Sequence, residues 1–379
     1  MKNLYSGIAL SLLILNGCAS GVSVKHPPEQ KVSRNSDRAA STVEGGKSAY
    51  DFADRDIAVP AYFDTQGLEL CTFDGRNEAE GCPLKKPLIR VYFDGNDYQG
   101  ADAEMAKRAG LDNQKLLLMF ENQVAGVNRF QIVTQDEATV SAELAKQMQQ
   151  QGGAAVAEQR AQRGIAQPEF VLKLDTLKTA DRFYAEYNGV MQYALEITSS
   201  VIDPYTMVKL PQPNIGKIRV RGDDVWDKND LVFVEVSGRY YSGYQYDDPQ
   251  SVQSVFNDMA SRGFDILTSR LLSEMPATGQ VLGVRGDQIT LDRGQNAGVL
   301  PNETMIIFEY EAGFVEPIGV AEVNPSSTSA NGRIVRWKQS QRAREVRNAA
   351  NNAIYRPASE RRLFAVSVGA PESYLDSRL

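Results

Sequence analysis

The sequence holds one histidine in 379 residues, His26, and it stands beside Pro27 and Pro28 in a polar N-terminal stretch. Ser-His and Cys-His nucleophilic sites, HExxH zinc sites and imidazole general bases all need a histidine held in a folded pocket. The chain offers none of them. It also lacks a GxxxxGK[ST] loop and a GxGxxG turn after a strand, so no phosphate or dinucleotide cradle is expected. Gly283-Val-Arg-Gly286 reads as a hairpin turn instead. Basic residues are outnumbered, 41 against 48, and the net charge of −7 argues against nucleic acid as a partner. Paired carboxylates do occur, Asp223-Asp224 and Asp247-Asp248, but adjacent acids in polar loops read as solvated groups rather than as a glycosidase-like pair. The expectation is a protein that is not an enzyme and needs no cofactor or metal.

Cysteine is scarce as well, with three in the chain. Cys71 and Cys82 lie eleven positions apart and read as one disulfide closing a small loop. The rival reading, a metal pair, finds no third or fourth ligand nearby.

Long hydrophobic runs are missing too. The longest candidate, Ile8 to Leu15, has eight residues and follows Lys2. A helix that spans a bilayer takes roughly 20 apolar residues, so this run has the length of a signal-peptide core. It ends in Leu15-Asn16-Gly17-Cys18, which resembles the lipobox of bacterial lipoproteins. The resemblance implies that residues 1–17 are removed and that Cys18 carries acyl chains. Each buried CH₂ would add ~0.8 kcal/mol of membrane affinity. Ala19 in place of aspartate implies an outer-membrane protein facing the periplasm. Residues 18–60 are rich in Ser, Pro, Gly and charge, and read as a lipid-anchored flexible tether reaching on the order of 100 Å.

Beyond the tether, periodicity marks a folded region over 61–277. Leu88-Ile-Arg-Val-Tyr-Phe93 is a strand by composition, and Ala101 to Val127 carries apolar residues at helical spacing. Thr134 and Glu137 form a capping box ahead of another helix. Glu169 to Asp175 and Tyr193 to Thr206 read as strands. Ser251 to Met275 reads as an amphipathic helix between Pro249 and Pro276, with Val255, Phe256, Met259 and Leu267 on the apolar face and Arg262, Ser269 and Arg270 largely off it. After Pro276 the period falls to two. Five short strands over 278–338, with Gly286-Asp287 as a hairpin turn, suggest a small SH3-like β-barrel. Residues 339–379 read as a basic C-terminal extension, either a solvated helix or a contact for an acidic partner or the cell wall.

Two phrases carry a family resemblance. Val127-Asn-Arg-Phe-Gln-Ile-Val-Thr-Gln-Asp-Glu137, between a strand–helix unit and a second helix, and Phe170-Val-Leu-Lys-Leu-Asp175 after it, resemble the periplasmic α/β domain of the curli secretion-channel family. Asp292, Gly294, Gly298 and Val299 match a phrase in the C-terminal domain of the flagellar assembly protein T family, with Asn302 where that phrase has glycine. The resemblance implies a curli-channel-like three-layer α/β domain followed by the barrel. It implies a structural component of a flagellar outer ring or a curli-like secretion apparatus, a homo-oligomer meeting other envelope-assembly proteins, with peptidoglycan as a further expected partner. Two alternatives stand beside it: the secretion pore itself, and a tethered activator of a peptidoglycan synthase. For a pore, a hairpin around 181–193 reads as too short, and one over 215–246 has a densely charged loop.

Overall fold

The computed structural model describes residues 47–61, 63–71, 82–93, 113–133, 170–183, 190–206, 208–209, 216–225, 232–236, 239–245 and 249–375. Cys18, the capping box at Thr134 and the acid pair Asp247-Asp248 lie outside the described residues. Among the described residues no helix is long and apolar enough to cross a membrane.

The first unit is mixed α/β. Its strands are β1 (Leu88–Phe93), β2 (Gln131–Ile132), β3 (Phe170–Phe183), β4 (Val190–Ile202), β5 (Ile218–Arg221), β6 (Val232–Val236) and β7 (Arg239–Gln245), with helices α1 (Asn113–Gly126) and α2 (Pro249–Glu274). They form a seven-stranded sheet in the order β2-β1-β3-β4-β7-β6, with β5 also pairing β4. β1 runs parallel to both β2 and β3, and the remaining pairs are antiparallel. The β3–β4 hairpin corrects the sequence reading. The runs at 169–175 and 193–206 are the base of one hairpin of 14- and 13-residue strands, paired from Val171↔Ile202 to Phe183↔Met191. Polar residues between the runs, Asp181 and Arg182 among them, mask this continuity, because strand propensity is weak wherever pairing decides.

The two described helices lie against each other and against the sheet. On α1, Leu116, Phe120 and Val124 recur every fourth residue and are buried, while Leu118 points out at 44% exposure. Phe120 packs on Phe264 of α2 with ring centroids 4.9 Å apart. Pro249 is the first residue of α2, where its fixed φ and missing N–H cost nothing. The expectation that Arg262, Ser269 and Arg270 sit away from the buried face is overturned, because all three are buried. α2 is covered on more than its sheet side. Arg262 donates to the Leu375 carbonyl at 2.9 Å, and Ala370, Tyr374 and Leu375 join the apolar core under the helix.

The second unit is a closed six-stranded barrel. β8 (Thr278–Arg285), β9 (Gln288–Leu291), β10 (Glu303–Glu311), β11 (Phe314–Pro325), β12 (Ala330–Trp337) and β13 (Arg362–Ser367) close in the order β10-β11-β12-β9-β8-β13, with helix α3 (Gln341–Asn352) between β12 and β13 in the chain. Two-residue turns make its hairpins: Gly286 at φ +58° between β8 and β9, and Ala312-Gly313 at +49° and +91° between β10 and β11. The barrel does not end at 338. β13 closes it, pairing with β10 and β8, so 339–367 is an integral part rather than an extension. Ala343, Val346 and Ala350 on one face of α3 are buried in the barrel core.

The tether is likewise shorter than expected. Ala49–Asp51, Asp54–Asp56 and Leu68–Leu70 form three short 3₁₀ turns, and Ala49, Phe52, Ile57 and Leu68 are buried against Ile306, Phe308, Tyr310, Val320, Phe364 and Val366. The described residues of the 47–84 segment, 47–61, 63–71 and 82–84, therefore belong to the barrel's outer face and not to a flexible linker or the sheet. β10 explains why. Its Met305 and Ile307 face the barrel core while Ile306 and Phe308 face the 47–84 segment, so the strand is apolar on both sides.

Candidate functional site

The junction between the two units is built around Arg129. It follows α1 in the loop Val127-Asn128-Arg129-Phe130, whose apolar members are buried in the sheet core. Arg129 is 2% exposed and Glu303, at the start of β10, is fully buried; Nη2 meets Oε1 at 2.7 Å. Nε and Nη2 also donate to the Gly298 carbonyl at 3.2 and 2.7 Å, and Nη1 to the Leu272 carbonyl of α2 at 3.4 Å. Glu303 in turn accepts from the Leu300 amide at 2.7 Å and from the Ser367 hydroxyl of β13. A buried charge pair is tolerable only when its remaining donors and acceptors are satisfied, and here the guanidinium joins α2, the 292–303 loop and β10 while Glu303 carries the network on to β13. Asn128, in the left-handed region at φ +55°, accepts from Lys86 at 2.9 Å and donates to the Gln295 carbonyl at 2.7 Å.

The barrel's side of the junction is the phrase Asp292 to Val299. Asp292 accepts from the Gln280 amide at 2.7 Å and so ties the loop to β8. A Cβ on Gly294 would lie 2.2 Å from the Ser326 carbonyl oxygen, and one on Gly298 2.5 Å from the Arg129 Cα. Gly298 also sits at φ +72°. Both glycines answer a steric demand, one inside the barrel and one at the contact between units. Asn302, standing where glycine was expected, adopts φ +57°; asparagine is among the few side chains that tolerate this region. The sequence phrases at 127–130 and 292–299 thus meet in space.

The disulfide between Cys71 and Cys82 is present, with Cα atoms 5.0 Å apart. It lies in the apolar layer beneath the 47–84 segment. Arg362 of β13 fastens that layer, donating to the Cys71 and Leu68 carbonyls at 3.0 and 2.7 Å while its guanidinium lies 5.3 Å from the Phe364 ring. Tyr310 donates to Glu69 at 2.7 Å. That hydrogen bond lowers the pKa of the Glu69 carboxyl and raises that of the Tyr310 phenol, consistent directions for one shared proton. On α3, Arg342 forks onto Glu309 at 2.7 to 3.1 Å and reaches Glu345 and Tyr355; the Glu309 carboxylate pushes its pKa up.

The structure separates the other sequence candidates from this junction. Asp224 caps its own turn by accepting from the Arg221 amide at 2.7 Å. Among the described residues no group of three or more His, Cys, Asp or Glu side chains is placed to hold a metal. Arg129 and Glu303 were missed as a pair. The signal available was an arginine set between Val127 and Phe130 in an apolar stretch, and an acid opening the run Met305-Ile-Ile-Phe308. Neither the comparison with protein-family models nor that with curated proteins gives a match to this chain.

Proposed function

We propose that this protein is a non-enzymatic, outer-membrane-anchored lipoprotein of the periplasm, a structural component of a cell-envelope assembly of the flagellar outer-ring or curli-apparatus kind. The observation that carries the reading is the Arg129 junction. The two phrases that resemble envelope-assembly families are the two surfaces that lock together, so the α/β unit and the SH3-like barrel behave as one rigid building block. The 47–84 segment, stapled at Cys71–Cys82, and the C-terminal residues 370–375 bind the same body from both ends of the chain. In this reading Cys18 carries the acyl anchor, and the tether runs from there to residue 47. The test is gentle extraction from outer membranes, mass by light scattering and particle imaging. A closed ring is expected; a chain that stays monomeric in its native extract would overturn the reading and favour the synthase activator.

A second reading, the secretion pore, gains support from the sheet. β3 and β4, of 14 and 13 residues, run on toward Phe183 and Val190 past the α/β core that buries Leu172, Leu174, Leu195 and Ile197. The β6–β7 hairpin adjoins them through Val190↔Gln245 and Met191↔Tyr244, although its strands of 5 and 7 residues are shorter than the ~9–11 residues a membrane-crossing strand needs. Single-channel conductance of the extracted protein in planar bilayers separates the pore from the closed scaffold.

A further inference from the structure

The basic segment after 337 sorts into two groups. Lys338, Arg342, Arg361 and Arg362 are engaged inside the protein, by Asp54, by Glu309 and Glu345, by Glu311, and by the carbonyls of the 47–84 segment. Arg344 and Arg347, on the outward face of α3, and Arg336 of β12 meet no carboxylate among the described residues. These three arginines are not scattered. With Trp337, Lys338 and the buried Ala343 they line one groove of 570 Å³ between the end of β12 and the first turns of α3. Arg347 lies over the Trp337 indole at 5.9 Å, and that indole is held in place by donating to Asp287 at 2.8 Å. The groove's edge is fixed where the Gln339 amide meets Asp54 at 2.6 Å.

We propose that this groove binds a carboxylate-bearing glycan, namely peptidoglycan with its acidic stem peptides. Three guanidiniums in one groove, with no carboxylate against them among the described residues, give it a local positive charge that a carboxylate would complete. Arginine forks match carboxylates in two-point contact, and the Arg347 guanidinium is held at the groove by the Trp337 ring beneath it. The volume lies in the range of sites for ligands of about disaccharide size. The inference rests on the reading that the chain faces the periplasm.

The test is co-sedimentation of the full chain, in detergent, with purified peptidoglycan sacculi. Wild type is expected to sediment, and the double variant Arg344→Ala, Arg347→Ala to lose at least tenfold of that binding while its thermal unfolding is unchanged. Arg344→Lys, Arg347→Lys is expected to fall between them, since charge survives but the fork does not. Three results would each overturn the proposal: wild type that does not sediment, equal sedimentation of the alanine variant, or a matching loss of binding to phosphatidylglycerol vesicles and to DNA, which would mark a general polyanion or lipid-phosphate surface. A ring seen by particle imaging alongside wild type that fails to sediment overturns the groove and leaves the assembly reading standing.

Discussion

Arg129 and Glu303 lie 174 positions apart in the chain and meet at 2.7 Å with 2% and 0% exposure, one from the α/β unit and one from the barrel. Removing either partner leaves the other charge buried and alone, which typically costs about 3–5 kcal/mol. Arg129→Ala and Glu303→Ala are each expected to lower stability on that scale in urea titration. The double variant Arg129→Ala, Glu303→Ala is expected to lose less than the sum of the two single changes. Additive losses would show that the two residues act independently.

The loop that receives Arg129 makes a sharper demand. Gly298→Ala places a methyl group against the Arg129 backbone and a side chain at φ +72°. The backbone term alone is about 1–3 kcal/mol. Asn302→Gly, at φ +57°, is expected to be nearly neutral. Thermal unfolding of the two variants side by side distinguishes a steric role from a merely flexible loop.

The disulfide closes a short loop, worth about 3 kcal/mol in the loop-closure description. Cys71→Ser with Cys82→Ser, or reduction, is expected to loosen the 47–84 layer before the barrel core, since its cluster with Phe308 and Phe364 lies outside the barrel. Limited proteolysis read by mass spectrometry should show first cuts between residues 47 and 84. First cuts within β10 to β12 would contradict this order.

The Glu69–Tyr310 hydrogen bond gives the same layer a pH window. The Glu69 carboxyl is lowered from 4.5, so its contribution is present above that value and is lost as pH falls through the lower folded value. The Tyr310 phenol is raised from 10.0, so its contribution is present below that value and is lost as pH rises through the higher folded one. Hydrogen-exchange protection around residues 68–71, taken relative to the intrinsic exchange rate at each pH, is expected to be greatest between these limits. Tyr310→Phe is expected to remove the window, and a window that persists in that variant would assign it to other groups.

Much of the local structure was legible in the residues themselves. Leu116, Phe120 and Val124 declare a helix by spacing, Pro249 marks where α2 starts, Gly286 marks a turn, and two cysteines eleven apart declare a bond. These signals are short in range: a dihedral preference, a period or a small loop carries its meaning within about a dozen residues. What the tertiary structure decided were the long-range matters. It placed β13 beside β10 to close the barrel, folded Phe52, Ile57, Leu68 and the Cys71–Cys82 pair onto the barrel's outer face, returned Leu375 to α2 and brought Arg129 to Glu303. The physical reason is the same in each case. The apolar runs Met305-Ile-Ile-Phe308 and Leu363-Phe-Ala-Val366 announce that both strand faces must be covered, but nothing local says by what; only the packed chain selects the partner.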